Sequence, residues 1–176
     1  MTTPAAPDNG TPQIDDPLDF IRQDHQQERD ICALLEQIAQ QDLPSRDDVK
    51  ECLAFLRHRL PHHLQDEEQG LFPILLRRCP TADEMEKIIG VLQRDHDHAG
   101  HDTPDVIMML DCLEADNTSL TDDDRRDLVK FATNAKRHLI LENAIVLPFA
   151  RLRLTDEDLA ELREGMLARR AKGARK

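Results

Sequence analysis

Residues 63–73 of the chain read HLQDEEQGLFP, and residues 138–148 read HLILENAIVLP. In both segments a His is followed four positions later by a Glu and ten positions later by a Pro. Side chains at positions i and i+4 lie one above the other on the same face of an α-helix. We therefore expect each segment to be helical and to direct an imidazole and a carboxylate toward one point.

Helix boundaries are marked around both segments. Four helices begin with a Ser or Thr followed by acidic residues, and Asp16-Pro17 begins an earlier one. A hydroxyl or carboxylate oxygen accepts the first free N–H groups of a helix, and Pro suits its first position. Thr81 and Glu84 have the capping-box spacing. These signals and the helical apolar period predict helices over residues 17–41, 46–78, 82–115, 122–151 and 156–170.

Prolines predict local strain in these helices. Pro61 lies inside the second helix, and Pro73 and Pro148 follow the two His-Glu pairs. Pro104 lies near Gly100 and predicts a kink or a break in the third helix, because a proline ring removes one hydrogen bond and crowds the preceding turn.

Four long helices, each with one apolar face and short connections, predict a bundle. The pair Asp24-His25 in the first helix recurs as Asp95-His96 in the third, and the second and fourth helices carry the His-Glu pairs. The two halves of the chain therefore resemble each other. We predict an all-α fold: an antiparallel up-down-up-down four-helix bundle with a short C-terminal helix.

Length and charge limit the possible classes of protein. The chain has 176 residues, enough for one domain with its own core, and a formal net charge of −12 that argues against a nucleic-acid partner. It has no apolar run long enough to span a membrane. We expect a disordered tail over residues 1–15, one domain over 16–170, and a basic, solvated tail over 171–176. The basic run also includes Arg169 and Arg170.

The cysteines indicate a reducing compartment. They are far apart and form no CxxC pair, so we interpret them as small core residues of a cytoplasmic protein without structural disulfides. They are Cys32, Cys52, Cys79 and Cys112.

The apolar faces also carry polar residues that need partners. Burial of several imidazoles and carboxylates without partners would cost several kcal/mol for each charged group, roughly, and ligation of a metal ion offsets that cost. Nitrogen and oxygen donors together suit a divalent transition metal. The candidate ligands are His25, His63, Glu67, His96, His138 and Glu142.

This donor set predicts two ions. If Glu67 and Glu142 each bridge, every ion has two nitrogen and two carboxylate oxygen donors, and a bridging oxo or hydroxo group makes five. One position per ion then stays open for O₂, peroxide or NO. Two iron ions fit best, with manganese or zinc as alternatives.

Other polar residues near these positions leave alternatives open. His101 could reach the metal if the helix bulges near Gly100, whereas His62 points about 100° away from His63, as expected for adjacent helical residues. Glu28 is either an ordinary glutamate at the bundle edge or part of the site. His58 is expected outside the site, whereas His98 follows His96 closely and stays ambiguous. Glu68, Asp24 and Asp95 could accept hydrogen bonds from ligand imidazoles. For Asp24 and Asp95, however, we expect an exposed side chain.

Together these residues resemble the hemerythrin-like (HHE cation-binding) domain family, whose pattern is a His and then His-xxx-Glu with a Leu-Phe-Pro ending, repeated. The resemblance covers about residues 16–152. It implies an antiparallel four-helix bundle with a non-haem di-iron centre held by the six candidate ligands. The chain departs from oxygen-carrying hemerythrins at two positions. Gly100 stands where they have a second His, and Asn143 stands where they have a carboxylate.

Three functions are compatible with this pattern. The first is a binding protein that takes up O₂ or NO or that senses or handles iron. The second is a di-iron enzyme that reduces peroxide or nitric oxide, or that aids iron–sulfur cluster repair. The third is a structural zinc or manganese protein. An enzyme needs a proton donor near the open positions, for which the candidates are His101, His62 and Glu28. We expect a small-molecule partner and a monomer or dimer.

Overall fold

The computed structural model describes residues 13–116 and 119–173, and every regular element within them is helical. Three of the helical runs are single helices, and two are divided by short π-helical turns. The elements are α1 (Pro17–Gln40), α2 (Arg46–Ala54), α3 (Leu60–Asp66), α4 (Phe72–Arg78), α5 (Met85–Asp116), α6 (Asp122–Leu141), α7 (Leu147–Arg153) and α8 (Asp156–Gly173). The all-α prediction is confirmed.

Three π-helical turns join helices without breaking them: Phe55–Arg59, Glu67–Leu71 and Glu142–Val146. In each, the residue after the turn donates its backbone N–H to a carbonyl five residues earlier. The next residue is a proline in all three cases, namely Pro61, Pro73 and Pro148. A proline ring lacks the N–H and crowds the carbonyl four residues before it. The widened turn relieves that crowding, so the strain expected from these prolines is absorbed as a π turn.

Pro104 has a different outcome, because α5 continues through it from Met85 to Asp116. The predicted break is therefore wrong. The preceding residue, Thr103, donates its hydroxyl in a 2.6 Å hydrogen bond to the carbonyl oxygen of Ala99, one turn earlier.

The start of α5 also differs from prediction. Thr81–Asp83 form a 3₁₀ turn, and Glu84 has a left-handed backbone with φ of 51°. The Glu84 carbonyl oxygen then accepts the N–H groups of Lys87 and Ile88. The capping box expected at Thr81 is wrong, because the left-handed residue redirects the chain before the helix begins. The reciprocal hydrogen bonds of a capping box do form at the start of α6.

Two apolar clusters fill the interior on either side of a polar centre. The first cluster includes Ile31 to Ala39 of α1, residues 49–60, the second half of α5 and the start of α6. The second includes the start of α1, residues 71–75, the first half of α5, and parts of α7 and α8. Successive helical runs pass between the clusters in alternating order. The buried His and Glu residues occupy the layer between them.

The ends of the domain carry more structure than the sequence indicates. Ile14, inside the expected tail, is buried and packs in the second cluster. Arg169 and Arg170 are not solvated; each forms a 2.7 Å ion pair with the buried Asp66. That part of the tail prediction is wrong. Residues 171–173 of the predicted C-terminal tail instead belong to α8. Residues 1–12 and 174–176 of the predicted tails lie outside the described residues.

Cysteine burial follows the prediction in part. Cys32 and Cys52 are buried in the first cluster, where burial raises the pKa of each thiol to about 12. Cys79 is half-buried and Cys112 is exposed, so the core interpretation is wrong for Cys112. Over the part of the chain that the structure describes, no helix combines the length and apolar character required to cross a membrane.

Candidate metal centre

His25 of α1 lies between the two predicted bridging carboxylates. Its Nε2 atom is 3.1 Å from Oε1 of Glu67 and 3.3 Å from Oε2 of Glu142. His63, one turn before Glu67, has its Nε2 atom 3.6 Å from Oε2 of that carboxylate. These four residues form one group in which all ligand atoms lie within 4.8 Å of one another.

The second group reuses both carboxylates. The Nε2 atom of His96 on α5 is 3.3 Å from Oε2 of Glu67, and that of His138 on α6 is 3.1 Å from Oε1 of Glu142. The two Nε2 atoms are 3.0 Å apart. Donors bound to one ion at about 2.1 Å are separated by roughly 3.0–3.4 Å in octahedral or tetrahedral sites. The observed spacings are therefore close to those of two overlapping sites that share Glu67 and Glu142.

Among the described residues, several buried ligand atoms of this centre have no hydrogen-bond partner. They are Nε2 of His63, Oε2 of Glu67 and both carboxylate oxygens of Glu142. Glu67 and Glu142 are 0% exposed. Burial of a charged carboxylate is unfavourable unless it is paired or binds a cation. The orphaned atoms point toward one another in the polar layer, so the residues present fit a metal centre.

Two of the three π turns set the positions of the carboxylates of Glu67 and Glu142. Glu67 and Glu142 are each the first residue of a π turn. Their backbone carbonyls accept hydrogen bonds from the N–H groups five residues later, those of Phe72 and Leu147. The Phe72 ring also stacks on the His96 imidazole, with centroids 5.7 Å apart. The Phe of the Leu-Phe-Pro sequence therefore packs against a donor of the second group. π turns in α-helices often occur at functional sites.

The sequence profile described as the hemerythrin HHE cation-binding domain matches residues 16–150. The chain belongs to the hemerythrin HHE cation-binding family. No curated protein matches it individually. The match contains all six predicted ligands of this hemerythrin-like domain and ends before α8 begins at Asp156.

Carboxylates outside the hemerythrin-like centre contact two of its imidazoles. Oε1 of Glu68 is 2.9 Å from Nδ1 of His96, and Oδ2 of Asp95 is 3.6 Å from Nδ1 of His138. A carboxylate on the far nitrogen fixes the orientation of a ligand imidazole. The expected role of Glu68 thus has geometric support, whereas Asp95 lies beyond hydrogen-bond distance of an imidazole nitrogen that has no hydrogen-bond partner among the described residues. Asp24, expected to be exposed, is instead buried, with Oδ1 2.8 Å from an Arg59 nitrogen.

In the metal-free centre, neighbouring imidazoles and carboxylates shift one another's pKa values. Burial by itself lowers the pKa of His25, but Glu67 and the charge of Glu142 raise it to about 9. His96 follows the same pattern, with its pKa also raised to about 9. Burial raises the pKa of Glu67, but the neighbouring imidazoles of His63, His25 and His96 hold it well below its usual range. Without metal, the imidazolium ions therefore compensate the buried carboxylates.

The remaining histidines lie outside the centre. His101 is exposed and pairs with the adjacent Asp102, so the alternative in which a bulge brings it to the metal is wrong. His62 is half-buried near α8, where burial and the charge of Arg170 lower its pKa. His58 is exposed, as expected, and His98 is exposed as well.

Glu28 is the residue that sequence reasoning left undecided and that the structure brings into the centre. It is 8% exposed, and its Oε2 atom lies 3.6 Å from Nε2 of His63. The signal was available, because Glu28 follows His25 by three positions and shares its helix face. An edge position fitted the same spacing, and the sequence alone does not separate the two.

A cavity of about 120 Å³ opens beside the centre, between α1, α3, α5 and α6. Its inner wall includes Glu28, His96 and His138, and apolar side chains cover much of the rest. A water molecule takes up about 30 Å³ in the liquid, so several waters or a small molecule fit there. Among the lining apolar residues are Leu60, Leu64, Ala99, Phe131 and Ala135.

Proposed function

We propose that the chain holds two iron ions in the buried layer and uses them to bind O₂ or NO, or to sense or handle iron. The observation that carries the proposal is the pair of overlapping donor groups. Each group has two imidazoles, and both groups share Glu67 and Glu142. Membership of a cation-binding family supports the metal. The mixed nitrogen and oxygen donors favour iron, with manganese or zinc as substitutes.

The proposal includes an up-down-up-down arrangement of the first four helical runs, with α8 added outside them. The alternating passage of these runs between the two apolar clusters supports it. Such a bundle lets four helices each contribute one imidazole to the central layer. We also propose a cytoplasmic protein, in keeping with four cysteines that form no CxxC pair.

Two iron ions would supply redox chemistry and a position for a diatomic ligand, and the chain's own residues would control access to it. Glu68 would orient His96 through its outer nitrogen. The apolar wall of the cavity, including Leu64 and Phe131, would admit a small uncharged molecule and limit bulk water.

The test is an optical spectrum of anaerobically iron-loaded, reduced protein before O₂, after O₂ and after its removal. The chain has no Trp or Tyr, which leaves the near-ultraviolet clear for iron bands. We expect two iron ions per chain and a new band on exposure to O₂. A band that disappears when O₂ is removed indicates a reversible carrier or sensor, and irreversible conversion indicates a redox enzyme or an iron-handling protein.

Two histidines on one helical run provide a matched control. His63→Ala should lose one of the two iron ions and the band, whereas His58→Ala, at an exposed position one and a half turns earlier, should retain both ions and the band. A wild-type protein that binds zinc tightly but gives no iron-dependent band would contradict the proposal and favour a structural zinc site.

A further inference from the structure

Glu28 is a third carboxylate in the central layer. Its Oε2 atom is buried and has no hydrogen-bond partner among the described residues. Its ionic neighbour is Nε2 of His63, 3.6 Å away, and that nitrogen also has no hydrogen-bond partner among the described residues. The Glu28 oxygen and the His63 nitrogen thus lie next to each other but beyond hydrogen-bond distance. Two ligand atoms that bind the same ion are arranged in this way.

A structural role for Glu28 lacks the usual contacts. Glutamates on amphipathic helices reach solvent or pair with a cation, because an isolated buried carboxylate is unfavourable. Glu36, two turns further along α1, follows that rule: its Oε2 atom lies 2.7 Å from Nζ of Lys136. The charges that act on Glu28 instead belong to the metal centre, where His63 and His138 attract its carboxylate and Glu142 and Glu67 repel it.

Glu28 and Glu67 lie at the same distance from the His63 imidazole. Nε2 of His63 is 3.6 Å from Oε2 of Glu28 and 3.6 Å from Oε2 of Glu67. If His63 and Glu67 bind one ion, the oxygen of Glu28 lies as far from the His63 imidazole as the oxygen of Glu67 does. Charge also permits it, since three carboxylates balance three of the four positive charges of two divalent ions.

We propose that Glu28 is a seventh ligand, which binds the ion held by His25 and His63. The inference rests on the proposed function. It makes the two ions unequal, because the first then has five protein donors and the second, at His96 and His138, has four. Both of those imidazoles line the cavity, and Glu28 covers the first ion on the cavity side. A small ligand entering the cavity therefore meets the second ion.

Titration of the metal-free full-length chain with Co²⁺ tests this without any assay of activity. The visible d–d bands of Co²⁺ change in shape and intensity with the number and type of its ligands. We expect wild-type protein to bind two equivalents. In Glu28→Gln one of the two should bind at least about tenfold more weakly, and the bands should change, because a neutral amide replaces a carboxylate ligand.

Glu36→Gln is the matched control, since it makes the same substitution on the same helix in a glutamate that pairs with Lys136. It should leave both the affinities and the bands of wild type. Circular dichroism of each metal-free variant checks folding. Glu28→Asp, which keeps the charge but shortens the side chain by one methylene, provides a second variant if the Gln variant does not fold, and it should also change the bands.

The outcomes separate the two proposals. If wild type binds two Co²⁺ ions and the Glu28 variants give the same affinities and bands, Glu28 is not a ligand, and the two-metal centre stands. If wild type binds no Co²⁺, the two-metal centre and the role of Glu28 both fail.

Discussion

The carboxylate of Asp66 accepts a 2.7 Å hydrogen bond from Nε of Arg169, 103 residues later in the chain. Asp66 immediately precedes Glu67 and is 0% exposed, yet it faces α8 and not the metal centre. Arg170 pairs with its other oxygen, also at 2.7 Å. The last helix is therefore attached to the residue just before the turn that carries Glu67, a proposed bridging carboxylate, although this helix lies beyond the family match.

Replacing both arginines with Ala should leave Asp66 buried and unpaired. Loss of the partners of a buried charge costs about 3–5 kcal/mol. We expect urea unfolding of the Arg169→Ala/Arg170→Ala protein to show a decrease of that size. Arg22→Ala, which removes an exposed pair with Asp19, is the control and should cost less than about 1 kcal/mol. A double variant as stable as this control would show that α8 is not anchored through Asp66.

Two glycines offer a comparison of close packing with open space. A Cβ atom at Gly70 would lie 2.7 Å from Cδ1 of the buried Leu162 in α8, whereas one at Gly100 would meet nothing within 4 Å. We expect Gly70→Ala to lower the free energy of unfolding by about 1–3 kcal/mol through overpacking. Gly100→Ala should raise it by about 0.5–1 kcal/mol, because Ala is the better helix former. Thermal unfolding of both variants checks the signs, and equal effects would contradict the close approach of α8.

Bridging carboxylates should be more important for metal content than single ligands. Glu67→Ala is expected to lose both ions, because Glu67 belongs to both donor groups. His63→Ala should lose one, since it belongs to one group. Metal analysis after dialysis measures this. Glu68→Gln is the control: it should keep both ions, with about tenfold weaker binding of one through the altered support of His96. Retention of one ion by Glu67→Ala would contradict bridging.

The metal-free protein should lose stability as pH rises from about 6.5 to 9. The folded-state pKa values of His25 and His96 are raised to about 9, above the ordinary 6.5, by the buried carboxylates. Their stabilisation is therefore complete below pH 6.5 and is lost as pH passes through 9. Melting temperatures of chelator-treated protein at pH 6, 7.5 and 9 should fall in that order.

Metal-loaded protein is the control for the pH series. Metal ions take the place of the protons and bind more tightly as the imidazoles deprotonate. The melting temperature of the metal-loaded protein should therefore not fall over the same pH interval. A metal-free melting temperature that rises from pH 6.5 to 9 would rule out protonated imidazoles as the compensation of Glu67 and Glu142.

Much of the architecture and the candidate site could be predicted because the informative residues repeat at short range. The i, i+4 pairs at His63 and His138 and the N-cap at Thr121 depend on neighbours within one turn, and the structure has helices where these patterns predict them. Three features depended on more distant partners. The burial of Asp24, the pairing of Asp66 with α8 and the partnerless position of Glu28 are set by side chains from other helices.

The prolines at 73 and 148 have a consequence for metal uptake. Each lies six positions after a proposed bridging carboxylate, and each is preceded by a widened turn that relieves the crowding of a carbonyl. Pro104, which α5 accommodates without such a turn, shows that the two widened turns are a feature of these segments and not of proline alone. Glu67 and Glu142 are preorganised when the protein folds, and the entropic cost of ordering them is met before any ion arrives. Uptake should then be limited by passage through the cavity and by release of protons, not by rearrangement of the backbone.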